Sequence, residues 1–318
     1  MPTGRSGSIK LFRLHGIEVF LHWSWFLAAV LIIRGEFGAY SSIVWNIVEY
    51  LALFAIVLTH EFGHALACRS VGGIANRIVL WPLGGVAYVD PPPRPGATLW
   101  SIVAGPLVNV ALFPVLGGLL TFAAHGGLAD SNPNLFLLLA NIYSINKWLL
   151  IFNILPIFPL DGGQIVRSLL WYVMGRGRSL LAATVLGFLG AAAFIFYAYH
   201  VGSTWLLILA VFMIWNCWTG LQQAMLLLKM AKIPRRAGYA CPTCNSAPPV
   251  GNCWACGNCK QAFDTFATGA ACPHCGAQYP ATRCFDCGRS HPMNEWSAIK
   301  PTYDNAAVLA NNVGTRQF

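Results

Sequence analysis

Six apolar segments run through the first 230 residues and leave few folds open to this chain. They cover 19–33, 43–68, 98–124, 134–155, 180–200 and 203–228, each near the ~20 residues that a helix needs to cross a bilayer core. A water-soluble domain carries about 25% charged residues, whereas this chain of 318 residues has 10% and a mean hydropathy of +0.57. A soluble enzyme with a large core is excluded. The expected fold is an α-helical polytopic membrane protein of about six transmembrane helices.

The formal net charge of +9 is unevenly placed. Arg5, Lys10 and Arg13 precede the first segment; Arg69, Arg77 and Arg94 lie between the second and third. Arg167, Arg176 and Arg178 follow the fourth, and Lys229, Lys232, Arg235 and Arg236 follow the sixth. The alternate loops hold Arg34 with Glu36, then Asp130, then no charge around 201–203. Basic residues gather in cytoplasmic loops, so this pattern puts both termini in the cytosol and speaks to topology and anionic lipid before nucleic acid. The polar, basic start lacks a small-residue cleavage site and reads as leading into a retained span, in a bacterial inner (cell) membrane.

Inside the second segment stands His60-Glu61-Phe62-Gly63-His64. Residues four apart share one face of a helix, so His60 and His64 can grip one metal ion, and Glu61 can serve beside it as general base toward water. A catalytic zinc takes three protein ligands. Glu18, Glu36, Glu49, Asp90 and Asp130 lie near segment ends or in loops. Asp161 is different, because it follows two prolines and precedes two glycines in Leu155-Pro-Ile-Phe-Pro-Leu-Asp-Gly-Gly163. That stretch breaks the helix and can bend Asp161 into a bundle, where an acid is costly unless paired or metal-bound. On its own Asp161 suits two roles, a metal ligand or the cap of a short helix over 161–174. The stretch 78–89 is apolar with a central Pro and Gly pair, which predicts a short hairpin dipping toward the membrane.

Together these residues resemble a known family. Thr59-His-Glu-Phe-Gly-His-Ala65 and Asn153-Ile-Leu-Pro-Ile-Phe-Pro-Leu-Asp-Gly-Gly163 are similar to the paired motifs of the site-2 proteases, the intramembrane zinc metalloproteases. Ala104-Gly-Pro-Leu-Val-Asn109 resembles that family's small-residue-and-asparagine motif, and Trp81-Pro-Leu-Gly-Gly85 its membrane-associated β-element. The likeness covers about residues 15–228, a compact branch without the PDZ or CBS modules of other relatives. It implies His60, His64 and Asp161 as ligands of a catalytic Zn2+ and Glu61 as the base. It also implies Asn109 and Asn153 as polar residues near the substrate peptide or developing oxyanion; hydrogen bonding between helices is the other role open to Asn109. Gln164 departs from the arginine common after the Asp-Gly-Gly, and Lys147, inside the fourth segment, has no assigned role.

Nine of the eleven cysteines follow residue 240. Cys241/Cys244, Cys256/Cys259, Cys272/Cys275 and Cys284/Cys287 form four Cys-x-x-Cys knuckles, enough for two structural four-cysteine zinc sites in a reducing compartment. So polar a segment needs metal to fold, and it resembles a double zinc ribbon. The order in which knuckles pair is open, as is exchange of Cys253 for Cys259. Cys253, Cys68 and Cys217 otherwise read as spare thiols.

The resulting expectation is an intramembrane metalloprotease domain over 1–230, a cytosolic double zinc ribbon over 231–300 and a flexible tail over 301–318. Its substrate would be a membrane protein cut within or beside a transmembrane helix, in regulated intramembrane proteolysis. The ribbon, lacking a dense basic stripe, would meet a protein partner rather than nucleic acid. Two rivals differ in class: a metal-transporting membrane protein, and a non-catalytic adaptor working through the ribbon.

Overall fold

The computed structural model describes residues 7–35, 40–81 and 84–296; the expected tail over 301–318 lies outside them. The chain divides into two compact units between Leu228 and Lys229.

The first unit opens with strands β1 (Ser8–Leu14) and β2 (Ile17–His22) and helix α1 (Ser24–Gly35). Helix α2 (Ile43–Ser70) leads into β3 (Ile74–Trp81) and β4 (Gly84–Asp90). Then come α3 (Pro95–His125), α4 (Leu128–Ser131), α5 (Pro133–Ile154), α6 (Asp161–Val201) and α7 (Thr204–Ala231). Among the described residues α2, α3, α5, α6 and α7 are long and apolar enough to cross a membrane. Their starts carry ordinary helix-initiating chemistry. Ser42 and Asn132 cap α2 and α5 through their side chains, and prolines open α3 and α5 where a missing N–H costs nothing.

The first expected span, 19–33, takes another form. Ile17, Val19 and Leu21 are buried and alternate with half-buried Glu18, Phe20 and His22, a period of two that specifies a strand with one covered face. Hydropathy alone merges this strand with the twelve residues of α1 into one apolar run. β2 pairs antiparallel with β1 and parallel with β3, and β3 pairs antiparallel with β4, giving the order β1-β2-β3-β4. β3 and β4 are the expected hairpin; of Trp81-Pro-Leu-Gly-Gly85, Pro82 and Leu83 lie outside the described residues. The sheet packs on α2. Arg69, in the last turn of α2, donates to the carbonyls of His15 and Gly16, while the Tyr50 hydroxyl donates to Trp25 O at 2.8 Å. β2 and the start of α1 therefore run alongside α2 in the opposite direction. Ile17, Val19, Leu21 and Trp25 share a core with Val57, Ala65 and Cys68 of α2 and with Ala75, Ile78 and Leu80 of β3.

The break after α5 holds Pro156 and Pro159. Beyond it, α6 is two helices joined at Gly175, whose φ of +79° lies where only glycine sits without strain. Residues 161–174 are thus the short helix expected from the sequence, ahead of a long one.

The second unit has two minimal hairpins, β5 (Trp254–Ala255) with β6 (Ala262–Phe263) and β7 (Thr282–Arg283) with β8 (Ser290–His291), followed by a short 3-10 turn over Met293–Glu295. Its apolar core is small: Phe266 and Trp296 with half-buried Tyr239, Trp254 and Met293, and Phe263 with Tyr279.

Candidate metal centres

α2 presents His60 and His64 one turn apart, and the break after α5 returns Asp161 to them. His60 Nε2 lies 3.1 Å from His64 Nε2 and 3.1 Å from Asp161 Oδ2, and His64 Nε2 lies 3.3 Å from the same oxygen. Nitrogen and oxygen ligands held tetrahedrally about 2.0–2.2 Å from zinc stand about 3.3 Å from one another. The triangle therefore fits such an ion. All three side chains are largely buried, Asp161 the most open at 12%.

The outer ring nitrogens are also committed. His64 Nδ1 donates to the carbonyl of Ser101 at 2.9 Å, and His60 Nδ1 donates to Asn109 Oδ1 at 2.6 Å. Each bond protonates Nδ1 and leaves an Nε2 lone pair pointing inward, the arrangement a metal-binding imidazole needs. Space for the triad comes from Gly105 on α3, where a Cβ would sit 2.2 Å from His64 Nε2 and 2.9 Å from His60 Nε2. Gly162 and Gly163 let the start of α6 press against the backbone of 154–158. Glu61, also buried, points toward the sheet, where its Oε2 accepts from the backbone N–H of Ala87 at 2.9 Å.

Of the expected site residues, His60, His64 and Asp161 meet at one point, with Glu61 next in the chain. Asn109 is fully buried behind His60, its Nδ2 donating to Asn146 Oδ1 at 2.8 Å. Asn153 sits half-buried in the last turn of α5. Lys147 lies half-buried with its Nζ 5.3 Å from the centre of the Trp148 ring. Three contributors escaped the sequence reading. Gly105 was visible within Ala104-Gly-Pro-Leu-Val-Asn109; Ser101, whose carbonyl meets His64 Nδ1, and Asn146, between Ser144 and Lys147 in an otherwise apolar stretch, carried no local signal of a metal site.

The second unit gathers its cysteines into two quartets: Cys241, Cys244, Cys284 and Cys287, and Cys256, Cys259, Cys272 and Cys275. The first and fourth knuckles pair around the second and third. Cys241–Cys287 and Cys256–Cys275 have Sγ atoms 3.6 Å apart, and Cys244–Cys284 and Cys259–Cys272 3.7 Å. Four thiolates about 2.3 Å from a tetrahedral zinc stand about 3.8 Å apart, so both quartets fit the ion. Cys253 belongs to neither.

A bundle of span-length apolar helices enclosing two histidines, an aspartate and an adjoining glutamate defines a membrane metallohydrolase type of site. The model of the family described as Peptidase family M50 matches residues 48–126 and 114–197. A zinc metalloprotease of Methanocaldococcus jannaschii is 36% identical over 180 residues, 57% of this chain and 50% of the relative. Stage IV sporulation protein FB of Bacillus subtilis is 30% identical over 155 residues, 47% of this chain and 46% of the relative. The solved structure of a site-2 protease from Methanocaldococcus jannaschii superposes with a TM-score of 0.51 at 29% identity, covering 67% of this chain and 95% of that one. The chain belongs to peptidase family M50, and it is an integral membrane protein. It spans about half the length of the curated relatives it matches.

Proposed function

We propose that the protein is an intramembrane zinc endopeptidase that hydrolyses a peptide bond within or next to a transmembrane helix of a membrane-protein substrate. The observation that carries this reading is the triangle of His60, His64 and Asp161, with edges of 3.1–3.3 Å, set beside Glu61 among span-length helices. His60, His64 and Asp161 would hold the ion; a bound zinc polarises a carbonyl and brings the pKa of its water to about 7. Glu61 takes the proton of the attacking water and returns it to the leaving amine. The Ala87 N–H orients that carboxylate. We assign Asn153, in the last turn of α5 just before the break that leads to Asp161, to the substrate peptide, and Asn109 to His60. Substrate helices must unwind to be cut, since their amides are already bonded, and the Pro and Gly break around Asp161 supports an open, polar cavity there.

We place both termini in the cytosol of a bacterial cell. The alternation of basic loops supports this, and so does the path of β2 and α1, which run back along α2 and supply a sixth crossing beside the five long helices. We read residues 1–230 as the protease domain. In residues 231–300 the two quartets hold two structural zinc ions, and this ribbon recruits substrate or a protein partner. A transporter would need ligands spaced along several helices; among the described residues the apolar unit has one metal-capable cluster.

The test is cleavage of a panel of membrane substrates by purified wild type and Glu61→Gln, with metal content measured in both. Retained metal and lost cleavage are expected. Equal turnover by the two proteins refutes the proposal.

A further inference from the structure

α5 carries a fully buried asparagine whose hydrogen bonds go to Asn109. Asn146 Nδ2 donates to the backbone carbonyl of Asn109 at 3.0 Å, and Asn146 Oδ1 accepts from Asn109 Nδ2 at 2.8 Å. A backbone carbonyl only accepts, so the Asn146 amide must turn its NH2 toward it. Its oxygen then faces Asn109, which must answer with its own NH2. That leaves Asn109 Oδ1, an acceptor, facing His60 Nδ1 at 2.6 Å, and His60 has to be protonated there. The imidazole is left with one lone pair, on Nε2, which points at His64 Nε2 and Asp161 Oδ2. Each orientation forces the next, starting from a main-chain group that cannot flip.

We propose that Asn146 is a positioning residue for the metal: through Asn109 it fixes the tautomer and ring direction of His60. The inference rests on the reading of the triad as a metal site. It also gives α5 two tasks, since its far end leads through the break to Asp161. With Asn146 lost, the Asn109 amide is free to rotate and offer its NH2 to His60, which favours a proton on Nε2 and removes the lone pair the ion needs. Outer hydrogen-bond partners of metal-bound histidines typically change metal affinity about 10- to 100-fold.

The experiment equilibrates the full chain, in lipid nanodiscs, against a series of chelator concentrations and counts the zinc retained. The ion missing from His64→Ala marks the triad, and the ions of the cysteine quartets serve as an internal reference. Asn146→Leu is expected to release the triad ion at about 10- to 100-fold lower chelator strength, with the quartet ions unmoved. Adding Asn146→Leu to Asn109→Leu is expected to produce no further shift. Leu138→Ala, another buried position on α5, is expected to lower the thermal midpoint while the triad ion leaves as in wild type. The proposal is overturned if Asn146→Leu releases its ion with wild type, if Leu138→Ala shifts it equally, or if the two asparagine changes add. Should His64→Ala hold as much zinc as wild type, the metal reading fails and the positioning role falls with it.

Discussion

The carboxylate of Glu61 accepts a 2.9 Å hydrogen bond from the backbone N–H of Ala87. The proposed general base of α2 is thus held by β4, an edge strand whose other side is laddered to β3. Because this N–H points away from β3, Ala87→Pro removes the bond to Glu61 without removing a ladder bond, as edge strands tolerate. Glu61→Gln is expected to lower kcat by about 10^2- to 10^4-fold, the usual worth of a positioned acid–base group. Ala87→Pro is expected to lower kcat by a smaller factor, with KM and zinc content near wild type. Single-turnover cleavage beside metal analysis checks both; an Ala87→Pro enzyme with full kcat removes the strand from the mechanism.

Gly105 offers a test of how the triad is packed. An alanine there would put Cβ 2.2 Å from His64 Nε2, so an imidazole, not a pliable tail, must move. Alanine is the better helix former by about 1 kcal/mol, which makes the expected result contrary to propensity: Gly105→Ala loses the triad zinc and cleavage. Gly118→Ala, in the same helix with open space around it, should keep both and gain slightly in thermal midpoint. Metal counts and melting curves of the two variants decide the matter.

What the sequence revealed follows the range of the interactions involved. His60 and His64 were legible because one helical turn brings them together, and Asp161 because prolines and glycines bracket a lone acid. Asn146 and Ser101 act across 37 residues, and nothing near either residue records its partner. The first apolar run concealed a strand because hydropathy sums over Ile17–His22 and α1 alike, while the alternation that separates them extends over only six residues. Knuckle pairing was hidden for another reason: four identical Cys-x-x-Cys spacings carry no mark of which two share an ion.

That pairing makes a counting prediction. With the first knuckle joined to the fourth, Cys241→Ser and Cys284→Ser should each remove one zinc, and the double variant should again remove one. Cys241→Ser with Cys256→Ser should remove two. Consecutive pairing would reverse these counts, so zinc stoichiometry of the four proteins separates the arrangements directly. Cys253→Ser should leave the stoichiometry unchanged.

Asp264 ties the ribbon together and sets a pH dependence with a definite sign. Its Oδ2 accepts from Gly251 N at 2.9 Å and Arg236 Nη2 at 2.5 Å, and its Oδ1 from Phe266 N and Ala267 N. Burial works against ionisation, but these main-chain donors and the Arg236 charge outweigh it and hold the carboxyl below its ordinary range. A folded value below the unfolded one means stabilisation that is complete above about pH 4 and fades as pH falls through the folded value. Asp264→Asn keeps the shape, loses the charge, and should cost about 1.5–3 kcal/mol at neutral pH, the range for hydrogen bonds to a charged group. Hydrogen exchange at the Gly251, Phe266 and Ala267 amides of zinc-saturated protein, followed through a denaturant series, gives the difference at each pH. Thiolate protonation in acid weakens both proteins alike, so the gap between them isolates the carboxylate. It should hold steady from neutral pH down to about pH 5 and close only in stronger acid. A gap that widens on acidification would mean that Asp264 is held protonated, contrary to its four donors.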